Sequence, residues 1–587
     1  MNQKKQVSLT IDGKKLVVDA GTSVMSAAEK MGVRIPRLCY HPQLSLEGSC
    51  RVCIVQIKGF DYFLTSCSHQ VEEGMEVLTN SPEIRQARRD IVELILDNHP
   101  KECQLCERDG NCELQNLAYS MGVRERLFEG KRKRHKIEDS SASVVRDAEK
   151  CILCARCVRV CKEVQGVYNL SQHGRGFDTV VTPFDGSNMD DSVCIQCGQC
   201  INACPTAAFL EKKHTDSVWE AINDPNKLVI AQTAPSIRAA MGEGFGYEPG
   251  TPCTGKMVTA LKKLGFDLVF DTNFGADMTI IEESSELVRR LESKQNLPLI
   301  TSCSPGWINF MEKFYPELIP NASTCRSPMQ MVSALTKTYF AKKINKDPKD
   351  IFMVAIMPCV AKKYEIQRPE HFFDGVPITD AVLTTRELNW MIKSYGIQFK
   401  QLEDSEFDSP LGESTGGGDI FGTTGGVMEA ALRCAFETIT KRKLENVEFK
   451  QVRAVEGLRE GEVEIDGLKL RFGVANSLIN AKSLLEKVIS KKEEFHIIEI
   501  MACPGGCIGG GGQPYPPKGF DTLDKKLFAL RAKALYDIDK KKKFRVASEN
   551  VSIQNLYKEF LKEPGSDIAH KILHTHYHPR FPRGINE

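Results

Sequence analysis

The chain is 587 residues long, with 78 Lys and Arg against 77 Asp and Glu and a net charge of +1. That length excludes a single core and leads us to expect three to five domains of roughly 100–200 residues each. The even charge leaves no electrostatic footprint for nucleic acid or an anionic membrane, and 41% hydrophobic residues fit an ordinary folded protein.

The N-terminal MNQKKQVSLTIDGKKLVVDAG alternates apolar and polar residues and lacks the apolar core of a signal peptide. Apolar stretches such as IFMVAIMPCV fall well short of the roughly 20 residues a membrane span requires. A soluble, cytoplasmic protein is expected. Of the 22 cysteines, fifteen lie between 39 and 204. Without an export signal, such clustering points to metal ligands rather than disulfides.

Residues 1–80 open with two alternating strands, QVSLTID and KKLVVDA. A helix, SVMSAAEKMGV, follows, with Thr22 or Ser23 as its N-cap. Then come Cys39, Cys50, Cys53 and Cys67, spaced x10, x2 and x13. Four such thiols suit one [2Fe–2S] cluster, although the plant-type spacing has x4 where this chain has x10. A structural zinc site is the alternative. Gly48 and Ser49 would let backbone amides approach the sulfurs. The segment resembles the β-grasp ferredoxin-like domain of complex I large subunits and iron-only hydrogenases.

Residues 81–125 read as helical, then give HPKECQLCERDGNC, with His99, Cys103, Cys106 and Cys112. A lone histidine is more often a cap or surface residue. Three residues ahead of a Cys-x2-Cys, it fits a His-ligated [4Fe–4S] cluster of the same families. Imidazole donates less charge than thiolate and should alter the potential.

A basic stretch, EGKRKRHKIEDSS, reads as a solvated linker or a docking site for an acidic ferredoxin. Within 140–215 two near-repeats follow, Cys151, Cys154, Cys157, Cys161 and Cys194, Cys197, Cys200, Cys204. This is the two-cluster ferredoxin signature, in which the fourth cysteine of each run crosses to the other cluster. One [4Fe–4S] would therefore take Cys151, Cys154, Cys157 and Cys204, and the other Cys194, Cys197, Cys200 and Cys161. Successive centres of this kind form an electron wire.

From 216 to 587 apolar strands alternate with amphipathic helices, which implies parallel sheets with ligands at the strand carboxyl ends. KLVIAQTAPS, FDLVFDTNFG, LPLITSCSPGW and DIFMVAIMPCV each read as a buried strand ending in a turn of small residues. MTIIEESSELVRRLESK and SPMQMVSALTKTYFAKKI read as helices. MACPGGCIGGGGQP at 501–514 places Cys503 and Cys507 among six glycines, which let the main chain pass close to a bulky group. A phosphate loop lacks its Lys and Ser here, and a redox dithiol would normally be spaced x2.

TSCSPGW (301–307), MPCVAKKYE (357–365) and MACPGGCIGGGGQP resemble the three signature segments of [FeFe]-hydrogenases, and the likeness covers nearly the whole chain, including GGVMEAALR at 425–433. The fold implied is multidomain α+β and α/β: a β-grasp domain, a small His/Cys cluster domain, a ferredoxin-like domain and a two-lobed α/β catalytic domain. By the resemblance, Cys359, Cys503 and Cys507 ligate the [4Fe–4S] part of an H-cluster, and Cys507 bridges to a diiron site with CO, cyanide and azadithiolate. Lys362 would bond a cyanide; as an ordinary residue it would be a surface ion-pair partner. Met357 and Met501 would pack on the diiron site or simply fill core. Ala234, Pro235 and Ser236 would line it.

Glu283, Glu286 and Arg290 share a helix face. Alone they read as a surface salt-bridge ladder; within the family, with Ser323 in STCRSP, they match a proton relay. The family has two adjacent cysteines in the first signature, the first relaying protons and the second holding iron. Here they are Cys303 and Ser304. Either Ser304 ligates, or Cys303 ligates and the relay is altered, or Cys325 supplies the missing thiol. Cys253 and Cys434 read as small buried side chains.

The resemblance implies a cytoplasmic, oxygen-sensitive hydrogenase acting on H2 and protons and loaded by maturation proteins. Its redox partner would be ferredoxin, or NAD(P)H- and flavin-binding subunits, since no Gly-x-Gly-x-x-Gly is present and KILHTHYHPR resembles the ending of multimeric, bifurcating enzymes. A hydrogen sensor or low-activity relative, or an electron-transfer subunit of complex I type, is the alternative. The relay acids disfavour a sensor, and the cysteines beyond 215 disfavour the electron-transfer subunit.

Overall fold

A computed structural model describes residues 5–123, 128, 130–444, 446–453 and 457–580. The first four residues, the boundary at 125, the head of the basic stretch at 129 and the chain end at 587 lie outside them.

The N-terminal alternation does build strands. Gln6–Ile11 buries every second side chain and pairs antiparallel with Lys14–Asp19. Its other edge pairs parallel with Glu76–Leu78 in a five-stranded sheet. The helix is Val24–Lys30, capped by Ser23, whose hydroxyl accepts from the Ser26 amide at 3.1 Å; Thr22 instead donates to the Asp19 carbonyl. The next unit packs helices Pro82–Asp97 and Glu113–Ser120, the former opened by Ser81 and Pro82.

The two cysteine repeats have matched backbones. Leu153 and Ala155 in the first, and Gln196 and Gly198 in the second, all have positive φ. The Leu153 amide thereby donates to the Cys151 sulfur, and that of Gln196 to Cys194, both at 3.4 Å. Gly198 has a further reason to be glycine, because a Cβ there would meet Val360 at 2.8 Å.

The remaining chain holds two four-stranded sheets. In the first, Leu268–Asp271, Leu228–Thr233, Ile351–Met357 and Ala381–Thr384 are parallel neighbours in that order. In the second, Leu299–Ile300, Ile497–Met501 and Leu468–Asn476 are parallel, and Leu458–Ile465 closes an antiparallel hairpin. The C-terminal segment lies along 324–326, with the Thr575 amide donating to Thr324 and that of Arg326 to Leu573. Among the described residues no helix is long and apolar enough to cross a membrane.

One expectation fails. FDLVFDTNFG does not end in a turn: the strand stops at Asp271 and a helix, Thr272–Ser293, begins at once. Asp271 caps it by accepting from the Asn273 amide at 3.0 Å, and is held by Arg238 at 2.7 Å. Arg238 also reaches Asp419 at 3.2 Å, and all three side chains are buried. Removing the cation leaves the Asp271 carboxylate without one and Asp419 with only Lys542, at 3.8 Å. Arg238→Met is therefore expected to destabilise the fold by about 3–5 kcal/mol, read from denaturant unfolding of the holoprotein; an unchanged midpoint would contradict this account.

Candidate metal centres and proton path

Near the N-terminus the four thiols pair, Cys39 with Cys50 and Cys53 with Cys67. The hydrogen bond from Cys50 holds Cys39 below the usual thiol range; burial opposes it, and amides of Cys50 and Ser49 assist it. Backbone N–H groups thus reach these sulfurs beside Gly48, whose φ is +66°.

His99, Cys103, Cys106 and Cys112 line one cavity. Burial, with Lys150 close behind, lowers His99 to about 4, so its ring is the neutral, ligating form. Its buried Nδ1 has no hydrogen-bond partner. Cys151, Cys154, Cys157 and Cys204 line another cavity. Cys161 interacts electrostatically with Cys194, and Cys200 with both, while Cys197 senses Cys200 and Cys194. Cys204 thus lies with the cysteines of the first repeat and Cys161 beside those of the second. Among the described residues no three His, Cys, Asp or Glu side chains converge on a single point. In two of the four sets, those of His99 and of Cys151, the candidate ligands line a shared cavity instead.

Between the two large sheets, segments leaving the carboxyl ends of five strands enclose a mostly apolar cavity. Its lining includes Ala234 and Pro235, Cys303 and Ser304, Met357 and Cys359, Lys362, and Met501, Cys503 and Cys507. Burial pushes Cys359 and Cys507 up to about 12 and Cys503 to about 11. Thiols held that high are poor nucleophiles at neutral pH; iron, which binds thiolate, would offset the burial. The glycine run packs its backbone directly on neighbouring backbone. A Cβ at Gly510 would lie 2.3 Å from the Pro358 carbonyl, and one at Gly506 2.9 Å from the Thr424 amide. The donor set suits a cluster, and Lys362 is the cation beside it.

Several single expectations change. Ser236 does not line the cavity; its hydroxyl accepts from Gln513 Nε2 at 3.2 Å and braces the glycine motif from behind. Lys362 has an ion-pair partner, Glu365 at 2.6 Å, but the pair is buried, and its Nζ also donates to the Cys303 carbonyl at 3.4 Å. Cys325 is fully buried and outside the cavity lining, among Glu283, Glu286 and Glu282. The arrangement thus gives no support to Cys325 as the missing ligand. Cys253 and Cys434 are buried in apolar cores.

The acids on helix Thr272–Ser293 do not form a surface ladder. Glu283 and Glu286 are buried, and Arg290 bonds Glu286 at 2.5 Å. Ser323 donates to Glu286 at 3.3 Å and lies close enough to Glu283 to lower its pKa against burial, while Glu283 Oε1 is buried without a hydrogen-bond partner. Glu283 in turn accepts from the Ser302 amide and is the nearest carboxyl influence on Cys303. The groups thus run in series from Arg290, beside the half-exposed end of the helix, to the cavity.

Sequence reasoning missed Thr272 and Ala276, one turn apart on that helix, and Met329 and Phe421, all of which line the cavity. It also missed Glu499, whose carboxylate accepts from the Gly425 and Met428 amides at 2.6 and 2.7 Å. Only the i, i+4 pair carried a local signal.

Residues 227–511 match the family described as "Iron only hydrogenase large subunit, C-terminal domain", and 525–580 match "Iron hydrogenase small subunit". Ahead of them, 4–82 match a 2Fe-2S iron-sulfur cluster binding domain, 88–126 an NADH-ubiquinone oxidoreductase-G iron-sulfur binding region and 125–208 a 4Fe-4S dicluster domain. The NADP-reducing hydrogenase subunit HndD of Solidesulfovibrio fructosivorans is 46% identical, across 98% of this chain and 99% of its own. Iron hydrogenase 1 of Clostridium pasteurianum is 40% identical, across 97% and 99%. Among solved structures, a single-residue variant of the [FeFe]-hydrogenase HydA1 from Chlamydomonas reinhardtii is 39% identical, with a TM-score of 0.56 over 63% of this chain and 99% of that one. The chain belongs to the iron-only hydrogenases and is an enzyme that interconverts H2 with protons and electrons, its iron–sulfur domains relaying the electrons.

Proposed function

We propose that the chain carries one [2Fe–2S] and three [4Fe–4S] accessory clusters on the ligand sets above, feeding an H-cluster held by Cys359, Cys503 and Cys507 with Ser304 at the fourth position. The observation that carries this reading is the joint lining of one cavity by all three cysteines, Ser304 and Cys303, with the buried acid series ending at Cys303. When bound, the cluster supplies iron that polarises H2 and takes up its electrons.

The protein's own part is to hold, exclude and conduct. Met357, Met501, Ala234 and Pro235 keep water from the cavity. Lys362 offers a fixed positive donor where an anionic ligand would sit. Cys303, Glu283, Ser323, Glu286 and Arg290 pass the proton. Burial keeps Glu283 up at about 8, with Glu286 adding to it against the nearby Ser323 hydroxyl, so it can both hold and release a proton near neutrality.

Electrons have two inlets to the Cys151–Cys204 site. Arg159 Nη2 donates to the Cys39 carbonyl at 2.6 Å and to that of Cys154 at 3.2 Å. The Cys112 thiol meets the Pro205 carbonyl, next to Cys204, at 3.7 Å. At the far end Cys197 lines the catalytic cavity with Cys503. Two inlets suit an enzyme serving more than one redox partner, and likeness to a subunit of an NADP-reducing hydrogenase favours NAD(P)H- and flavin-binding subunits alongside ferredoxin. The continuous acid series favours turnover over sensing.

Infrared spectra of the maturated chain should contain CO and cyanide stretching bands; their absence in iron-replete protein would overturn the H-cluster assignment. Ser304→Cys should retain those bands and raise catalytic-domain iron per chain, whereas Cys303→Ala should keep the iron and lose turnover; the reverse pattern would make Cys303 the ligand. Because Glu283 is protonated below its pKa and ionised above it, proton reduction should fall as pH rises through about 8. Glu283→Gln should cut turnover about 100-fold or more and leave no such titration in the pH–rate profile.

A further inference from the structure

Arg108 sits in the cysteine loop of the second unit, yet it is 4% exposed. Its guanidinium carbon lies 3.5 Å from the ring centre of Tyr515, just beyond the catalytic glycine motif. Arg386 stacks on the same ring at 4.6 Å and ties it down by donating to the Gly511 and Gln513 carbonyls at 2.6 and 2.7 Å. Tyr515 is the leading polar influence on this guanidinium, yet the Nε and Nη1 donors of Arg108 remain buried without a hydrogen-bond partner. Unpaired charged donors in the interior are costly and rarely kept without use.

The side chain lines the cavity of His99, Cys103, Cys106 and Cys112. The sulfurs of Cys204, from the next ligand set, and of Cys112 lie within its electrostatic reach. It therefore stands at the junction of two of the proposed cluster sites, where an N–H donor would meet thiolate or sulfide. We propose that Arg108 is a shared cation that donates hydrogen bonds to the His-ligated cluster and stabilises its reduced form, raising its potential. This inference rests on the ligand reading above. Each reduction adds one negative charge to a cluster, and a fixed cation favours that state. Histidine in place of one thiolate acts in the same direction, so Arg108 and His99 together would keep this inlet reducible by a mild donor.

The test is an EPR-monitored potentiometric titration of the complete, cluster-loaded chain, with Arg108→Gln beside the unsubstituted protein. The variant should keep its iron and shift the His-ligated cluster downward by at least tenfold in its reduction equilibrium, about 59 mV for one electron, while the [2Fe–2S] signal stays in place. An unchanged potential in an iron-replete variant, or an equal shift of every cluster, overturns the role. Should the variant lose iron, a 15N-guanidino-arginine chain carrying Arg132→Gln and Arg134→Gln, which removes the other arginines lining this cavity, decides. An arginine nitrogen coupling on the reduced His-ligated cluster supports the assignment, and its absence overturns it. If the unsubstituted chain shows no histidine-ligated cluster, the ligand reading itself fails and takes this inference with it.

Discussion

The glycine run 505–512 sets the spacing of the whole molecule. Its last three glycines are pressed so closely on their neighbours that no side chain fits there. A Cβ at Gly510 would lie 2.3 Å from the Pro358 carbonyl, and one at Gly511 2.4 Å from that of Cys197. The Gly512 amide donates to Pro358 at 2.7 Å. One strand of backbone thus touches the second signature segment, which leaves the first sheet, and the last cysteine repeat of the ferredoxin-like unit. The second sheet contributes the run itself, through Ile497–Met501. Three parts of the chain meet on a few peptide groups, and the catalytic cavity and the end of the electron path are formed by that contact together.

Charge is sorted along the same line. A net charge of +1 conceals a buried separation of function. Arginines stand between the ligand sets: Arg156 holds Glu113 at 2.6 Å and the Tyr40 carbonyl at 3.2 Å, and Arg159 bridges Cys39 and Cys154. Carboxyls stand on the proton side, where Glu283 has no cation of its own and burial keeps it protonated near neutrality. Cations favour the electron-rich state of what they face, and desolvated acids favour the proton-bound state. Under the proposed assignment, electrons and protons are given different surroundings.

Much of this was legible in the sequence because ligand sets are local. Cys-x2-Cys spacing is written within a dozen residues, and the positive-φ pairs of both repeats follow from it. Strand alternation at Gln6–Ile11 and the cap at Ser23 were legible for the same reason. Burial of the acid series was not, since Glu283 and Arg290 share a helix face whether that face meets water or a second sheet. The start of that helix was misread because Asp271 owes its cap to Arg238, 33 residues away. Ser236 was assigned to the lining from its neighbours, and only Gln513, 277 residues on, reveals that it faces the other way. Arg108 leaves no mark in sequence, as its meaning lies in Tyr515. Contacts across long separations have no period to read.

The Cys303–Ser304 pair is where local and distant information meet. Ser304 stands at the N-cap of helix Pro305–Phe314 without capping it. Its hydroxyl accepts instead from the Ala502 amide at 3.3 Å, one residue from Cys503. The backbone at Ser304 is extended, φ −99° and ψ 103°, and successive side chains of an extended segment point to opposite sides. Cys303 therefore faces Glu283 while Ser304 faces the glycine motif. Exchanging them would require turning a segment anchored by Lys362 on the Cys303 carbonyl and by Trp307 Nε1 on that of Thr301 at 3.1 Å. The single thiol of this loop therefore stands on the side of the buried carboxyls, and the hydroxyl on the side of the glycine motif.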